Sequence, residues 1–437
     1  MTTGMSPMLS IVRDALGADA RPERKVVLAL SGGMDSIVLL HLLTQLRQET
    51  AFELRALHVH HGLSPHADAW VAFCQDTCRV LDVPLEVAYV SLGETAGKGI
   101  ESTAREARYA AFAAVSADVL CLAHHQNDRA ETVLLNLFRG AGVRGLAALP
   151  DERPFSGKRL LRPLLNVPRH HLATWAEAQG LQWIEDESNQ NLHYRRNYIR
   201  HVVLPAVAKP FPGVLGVLAR TALYMSEQAD LLDRLARIEG EACRSPAGAL
   251  SVVLLKKLPP VAMRNVLRYG LEQAGIRIPA ARCLGELASQ LSCARPDAAI
   301  AVRLGVATAH IWRDQVWLDT PIVNEPPACA PLVFGTSAWP EGSLRVEALS
   351  SEDMSLSDLS LSAVGSGMKF RPSGRCHGNV SDLLREKNVP PWVRTRLPAV
   401  RLHGQLIWIA GLGWSNEAGQ YAGQLCLRWQ ADIYKVL

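Results

Sequence analysis

Lys25-Val26-Val27-Leu28-Ala29-Leu30-Ser31-Gly32-Gly33-Met34-Asp35-Ser36, running straight into Ile37-Val38-Leu39-Leu40, is the stretch on which the fold turns. Six apolar-rich residues of strand length meet a glycine pair that no strand continues through, and an apolar helical run comes next. The loop therefore sits at the carboxyl end of a strand and the amino end of a helix, where unpaired amides and the helix dipole favour anions. Gly32 and Gly33 let the backbone approach phosphate oxygens closely, and the hydroxyls of Ser31 and Ser36 can donate to them. Asp35 would repel phosphate unless a cation lay between, so its expected role is to hold a Mg2+ that bridges the phosphates. A plain glycine turn with a serine cap would account for the glycines alone. The whole SGGxDS directly after a strand favours the phosphate reading.

Working outward, strands are predicted over Lys25–Leu30, Leu54–His60, Leu85–Val90 and Val119–Ala123, alternating with helices near Ile37–Gln48, Asp68–Leu81 and Ile100–Ser116. That alternation predicts an α/β domain with a doubly wound parallel sheet. Trp70, Phe73, Thr77 and Val80/Leu81 recur at helical steps and read as core packing. After Ala206 the chain turns leucine- and alanine-rich, with breaks at Pro210, Pro212, Ser245–Gly248 and Pro259-Pro260, which predicts a small helical domain running to about Ile300. Pro321–Pro340 reads as a linker, and short apolar runs such as Leu406–Ala410 predict a small α+β domain at the end. The expected division is 1–210, 211–320, a linker at 321–340, and 341–437.

The 437 residues are 48% hydrophobic and 20% charged, enough for several cored domains. No apolar run nears the roughly 20 residues of a membrane span, and no basic-then-apolar leader opens the chain, so no membrane association and a cytoplasmic location are expected. The 9 cysteines form no CxxC pair and read as reduced, mostly buried thiols. A formal net charge of +4 is too small to mark a nucleic-acid surface by itself, so local clusters matter. One lies at Asn191–His201, where Arg195, Arg196 and Arg200 interleave with Tyr194 and Tyr198. Another spans Lys369–His403, with 8 Lys/Arg against 2 Asp/Glu and Trp392 after a diproline. Both suit phosphate contacts and base stacking, although a solvated basic face would look the same.

Two apparent motifs fail on context. Gly93–Lys98 has only three residues between its glycines and Gly99 where a P-loop needs Ser or Thr. Gly140–Gly145 matches GxGxxG but comes after a helix, not a strand. Asp128, Glu131 and Thr132 fall at i, i+3 and i+4, on one helix face expected to lie opposite a core stripe of Ala130, Leu134 and Leu137. Paired carboxylates there suit an ammonium group, a shared metal or proton transfer, with His124 and His125 alongside. His60, at the end of the second strand, is expected to line a nucleotide pocket. A zinc site from His58, His60 and His61 lacks a further ligand at suitable spacing.

SGGMDS is the signature of the PP-loop ATP pyrophosphatases, and three later stretches narrow the resemblance: His58-Val59-His60-His61-Gly62-Leu63, Glu101-Ser102-Thr103-Ala104-Arg105-Glu106-Ala107-Arg108-Tyr109, and Ala123-His124-His125-Gln126-Asn127-Asp128-Arg129-Ala130-Glu131-Thr132. With Arg139-Gly140, Arg162-Pro163-Leu164-Leu165, Glu185–Asn189 and Arg195–Arg200, this succession resembles the tRNA(Ile)-lysidine synthases. Leu258-Pro259, Ala294–Ala298 and Val389-Pro390-Pro391-Trp392 resemble the longer, three-domain form. Two positions depart from the pattern: Arg129 stands where Gln is usual, and Ser381-Asp382 where a Lys-Lys pair is expected.

The resemblance implies a ligase that uses ATP and Mg2+ to adenylate the wobble cytidine of a CAU anticodon at its C2 oxygen, after which free lysine displaces AMP. It implies ATP at Ser31, Gly32, Gly33, Met34, Asp35, Ser36, His60 and Arg105, with Mg2+ on Asp35. Asp35, Asp128 and Glu131 would be catalytic, and Asp128, Glu131 and His124 would bind lysine, with the choice between lysine and metal open for the two carboxylates. Arg195, Arg196, Arg200, Arg371, Arg375, Trp392 and Arg394 would contact tRNA(Ile). No obligatory protein partner is expected. A cytidine thiolase is the alternative, sharing the loop but needing cysteine pairs or clusters that are not evident.

Overall fold

The computed structural model describes residues 7–17, 23–90, 100–245, 248–276, 281–293, 300–319, 326–340, 342–349, 355–419 and 421–431. The loop at Gly93–Lys98, the segment Ala294–Ala298 and the start of the expected linker lie outside the described residues. The chain divides into two compact units, Met1–Leu231 and Leu232–Leu437.

The first unit runs α1 (Pro7–Leu16), β1 (Lys25–Ala29), α2 (Met34–Glu49), β2 (Glu53–His60), α3 (Ala67–Val80), β3 (Leu85–Tyr89), α4 (Ile100–Ala114), β4 (Val119–Cys121), α5 (Gln126–Phe138), α6 (Val143–Leu146), β5 (Glu152–Phe155), β6 (Lys158–Leu161) and α7 (Arg169–Ala178). Its sheet has the order β3-β2-β1-β4-β6-β5. All pairs are parallel except β5–β6 at the edge. Strand order reverses between β1 and β4, and the loop after β1 lies at that switch point, where open α/β sheets bind ligands. Alternation along β1 divides the core. Val26 and Leu28 pack with α1, α2, α3 and α7, while Val27 packs with Phe112 and Val115 near the end of α4. The Lys158 ammonium is spent on α4, donating to the carbonyls of Phe112, Ala113 and Val115 at 3.0, 2.9 and 2.5 Å.

The stripe expected to be core in α3 is corrected in part: Phe73 and Leu81 pack half-buried against the core, but the fully buried line runs beside them. Ala67, Val71, Cys74 and Cys78 are buried, whereas Val80 is 81% exposed. Both sets have helical spacing, and the smaller side chains face inward because the helix passes close to the phosphate loop.

In the second unit, Val252–Leu255, Pro260–Gln273 and Ala281–Cys293 are helical, as the leucine-rich pattern suggested. An antiparallel sheet of β7 (Ile300–Leu304), β8 (Ala307–Trp312) and β9 (Gln315–Asp319) shares their core, an addition to the expected helices. Beyond it, Ala330–Pro331, Leu359–Ala363, Pro398–Leu402, Gln405–Ile409 and Gly413–Trp414 form one sheet, and Gly335–Trp339, Gly342–Ala348 and Leu425–Ala431 another. The stretch read as linker thus contains paired strands. Gly335–Trp339 buries only Trp339, so it leaves no apolar periodicity to read. No helix among the described residues is long and apolar enough to cross a membrane.

Candidate active site

The phosphate loop is shaped by contacts the sequence does not display. Gly32 has φ +83°, and a Cβ there would lie 2.5 Å from Ile184 Cδ1 and 3.1 Å from Cys74 Sγ. Ile184 also donates its amide to the Gly32 carbonyl at 2.9 Å. Gly33 caps α2 in extended conformation. Ser31 Oγ accepts from the Gly33 amide and donates to Ser36 Oγ, which donates to the Gly33 carbonyl. Both hydroxyls expected to donate to phosphate are thus engaged within the loop. Met34 is 5% exposed, so it offers only its amide, which with that of Asp35 has no partner inside the helix.

His125 joins this loop to the acidic helix. It is the N-cap of α5: the Asp128 amide donates to Nδ1 at 3.4 Å, and the His125 amide donates to Asp128 Oδ2 at 2.9 Å, a capping box with His and Asp in place of the usual Ser/Thr and Glu. Because Nδ1 accepts, the proton of the neutral ring sits on Nε2, 3.5 Å from both Asp35 Oδ2 and Asp128 Oδ2. Burial opposes a charge on His125, but Asp128, then Asp35 and Glu131, outweigh it and raise its pKa. The cap bond is long and yields to protonation at small cost. Asp35 Oδ1 is buried and accepts no hydrogen bond among the described residues, with Arg169 Nε 3.8 Å away.

The acidic pair is not open to solvent. Glu131 is 0% exposed and Asp128 8%. Arg196 bridges them, with Nε 2.7 Å from Glu131 Oε2 and Nη2 2.7 Å from Asp128 Oδ1. Arg200 repeats the pattern one turn later, 2.6 Å from Glu131 Oε1 and 3.3 Å from Asp128 Oδ1. Burial would raise the Asp128 pKa, but the charges of His125 and Arg196 hold it well below the usual carboxylate range. Both guanidinium pKa values are raised against burial, for Arg196 chiefly by the charge of Asp128 and for Arg200 by its hydrogen bond to Glu131. This corrects the expected helix faces in part: Ala130 of the expected core stripe is buried, but the carboxylate side of α5 is buried too, and Leu137 is 50% exposed. Sequence reading placed these four residues in two separate groups. His124 Nδ1 is buried without a partner among the described residues, and burial pushes the ring pKa down to about 3.

Around this cluster, His58 Nδ1 donates to the Leu30 carbonyl at 2.9 Å and holds β2 to the end of β1. His60 Nε2 lies 3.1 Å from Asp68, its ring tilted against Tyr89. His61 meets Arg108. Arg105 lies over the Tyr109 ring, 5.0 Å from its centroid. Arg129 is buried, donating to Asn166 at 2.7 Å and Asp151 at 2.8 Å, so the charge this departure introduces is met by partners inside the first unit. The side chain of Arg195 is exposed and makes no hydrogen bond or ion pair among the described residues.

In the second unit the residues expected on RNA are partly engaged by protein. Trp392 lies flat on His310, ring centroids 4.0 Å apart and planes at 7°, with Trp312 and Trp317 at its edges. Asp319 pairs with Arg396 at 3.0 Å and lies 3.9 Å from His310. Arg375 pairs with Glu386 at 2.8 Å, Arg371 Nε donates to the Arg375 carbonyl at 3.4 Å, and Arg394 Nε donates to the Val389 carbonyl at 2.9 Å. Asp382, in place of an expected lysine, pairs with Arg385 at 3.1 Å.

His125 as a cap, Arg169 and Ile184 were missed in the sequence. The first leaves a signal there, because His-x-x-Asp before an apolar run repeats the capping-box spacing.

Family models match along the chain: a PP-loop domain at residues 8–207, a TilS substrate binding domain at 250–317 and a TilS substrate C-terminal domain at 359–431. Curated proteins named tRNA(Ile)-lysidine synthase are similar over most of their length. That of Azoarcus sp. is 40% identical over 90% of this chain and 88% of its own. That of Nitrosomonas europaea is 37% identical over 91% and 90%, and that of Aromatoleum aromaticum 37% over 95% and 99%. With a phosphate loop and an acidic helix joined through one histidine, and relatives at this identity over nearly the whole length, the chain belongs to the tRNA(Ile)-lysidine synthase family.

Proposed function

We propose that the chain ligates lysine to C2 of the wobble cytidine of tRNA(Ile) bearing a CAU anticodon, in the cytoplasm, using ATP and needing no protein partner. The observation that carries this reading is the position of His125 Nε2, 3.5 Å from Asp35 and 3.5 Å from Asp128, which puts the phosphate-binding and acidic groups in one place.

In the first step the cytidine C2 oxygen attacks the α-phosphorus of ATP and the bond to pyrophosphate breaks. The amides of Met34 and Asp35 and the start of α2 face the charge that develops, with Ser31, Gly32, Gly33 and Ser36 holding the loop in shape. Asp35 fits a hard divalent cation, since its Oδ1 is a buried acceptor left without a donor. It would hold Mg2+, whose charge supports departure of pyrophosphate. His60 and Arg105 border the nucleoside. In the second step the lysine amine attacks C2, the bond to AMP breaks and the amine loses a proton. Asp128 and Glu131 attract the ammonium form, Arg196 and Arg200 balance the carboxylates until it arrives, and the neutral, unpartnered His124 offers an acceptor to the attacking nitrogen.

Residues 1–210 are proposed as the catalytic domain and 211–320 and 341–437 as tRNA-contacting parts, with Arg371, Arg375 and Arg394 toward phosphate. Among the described residues of the first unit, the thiolase alternative finds no ready sulfur nucleophile near the phosphate loop: burial pushes the Cys74 and Cys121 thiols up to about 12 and Cys78 to about 11. The test is mass analysis of the wobble cytidine after incubation with ATP and lysine. A lysine adduct that needs both supports the reading, and an unchanged or thiolated base contradicts it.

A further inference from the structure

Beside the acidic cluster, the end of α5 and the segment Leu192–Val203 enclose a groove of about 280 Å³. Phe138, Leu192, Tyr198 and Ile199 form its apolar wall, Arg139 and Arg195 its charged rim, and among the described residues no carboxylate lines it. Phe138 is 65% exposed and Tyr198 48%, so two aromatic faces stand open in one concavity. The side chains of Arg139 and Arg195 have no hydrogen-bond or ion-pair partner among the described residues.

Consecutive helical positions explain why these arginines differ from their neighbours. Arg196 and Arg200, four apart, turn toward the carboxylates of α5, while Arg195, Tyr198 and Ile199 turn toward the groove. The backbone at Ile199–Val203 widens into a π-helical turn, a distortion frequent at functional sites. The same two elements thus present the acidic cluster on one side and the groove on the other. Along α5, Asp128 and Phe138 are separated by about 15 Å at 1.5 Å per residue, a distance that a short stretch of extended single strand covers.

We propose that this groove takes one unstacked base of the anticodon loop beside the cytidine being modified, the base stacking on Tyr198 and Phe138 while Arg139 and Arg195 hold the flanking phosphates. The inference rests on the functional reading above. A cytidine delivered to a cleft must leave its stack, and its neighbour then loses a stacking partner that the protein has to replace. Two open aromatic faces with a cationic rim free of carboxylate match a nucleotide in both stacking and charge.

The test measures binding of a CAU anticodon stem-loop to the full chain and to Tyr198→Ala, Tyr198→Phe and Arg139→Ala/Arg195→Ala, with matched RNAs carrying one abasic loop nucleotide each. Tyr198→Ala is expected to weaken intact RNA by roughly 5- to 100-fold, with affinity kept in Tyr198→Phe. One abasic RNA should bind wild type equally weakly, with no further loss in Tyr198→Ala. The double arginine variant should lower the slope of log affinity against log salt by about 1.4 for two single-strand phosphates. If Tyr198→Ala binds every RNA as wild type does, or weakens intact and abasic RNAs by one common factor, the groove holds no base. Lysine incorporation by the wild type, measured in parallel, separates the two levels: normal modification with an indifferent Tyr198 overturns the groove alone, and no modification overturns both.

Discussion

Ile184 donates its amide to the carbonyl of Gly32 at 2.9 Å, and its Cδ1 occupies the space where a Cβ at Gly32 would lie. A residue outside the SGGxDS motif therefore fixes the curvature of the phosphate loop. Gly32→Ala would meet both a clash and a φ of +83° and is expected to cost about 1–3 kcal/mol of stability. ATP binding should fall at least as steeply, because relief of the clash moves the loop amides. Calorimetric titration with ATP and a thermal melt check this together, and unchanged ATP affinity would contradict it.

Glu131 accepts from Arg196 Nε and from two nitrogens of Arg200, its carboxylate buried while the two arginine side chains stay 27% and 30% exposed. Glu131→Gln keeps the shape but leaves two guanidiniums short of a counter-charge, and a loss of about 3 kcal/mol is expected. Arg200→Met in the same chain should recover part of it, so the two changes should couple by about 1 kcal/mol or more in urea unfolding. Strict additivity would mean the ion pairs contribute little.

His125 gives a pH signature of definite sign. Its folded pKa is raised above the ordinary 6.5 by Asp128 and Asp35 against the effect of burial, so its contribution to stability is full below about pH 6.5 and is lost as pH rises through the raised value. His125→Asn retains an N-capping acceptor and removes the titration. The melting-temperature advantage of wild type over His125→Asn should therefore be largest near pH 6 and shrink toward pH 9. A difference constant across that range would show that the ring carries no shifted proton.

Trp392 shares its face with His310, so truncation should register first as lost packing. Trp392→Ala is expected to lower stability by about 3 kcal/mol, whereas Trp392→Phe should retain much of it. Guanidinium unfolding of the full chain followed by tryptophan fluorescence reads this. Full stability in the alanine variant, with RNA affinity alone reduced, would instead make Trp392 a base-stacking residue.

Local patterns carried much of this architecture, and long-range pairing hid the rest. The strands β1 to β4 and the loop at Ser31–Ser36 were legible because short apolar runs and a glycine break are local features. The most buried line of α3 was not singled out because Trp70, Phe73 and Thr77 have the same spacing as Val71, Cys74 and Cys78, and it is the smaller set whose Cys74 meets Gly32. Arg196 and Arg200 looked like a solvent-facing RNA patch, since nothing local to them reveals that Asp128 and Glu131, more than sixty residues earlier, turn inward to meet them. The short strands β5 and β6 and the exposed strand Gly335–Trp339 escaped notice for want of an apolar rhythm.

The most direct test of the phosphate loop as the seat of base activation is pyrophosphate release from ATP by the wild-type chain and Asp35→Asn, with RNA and lysine omitted in turn. Release that needs tRNA, proceeds once without lysine, turns over only with lysine, and drops at least a hundredfold in Asp35→Asn is the expected result. Release at the normal rate by Asp35→Asn, or release indifferent to tRNA, would contradict it.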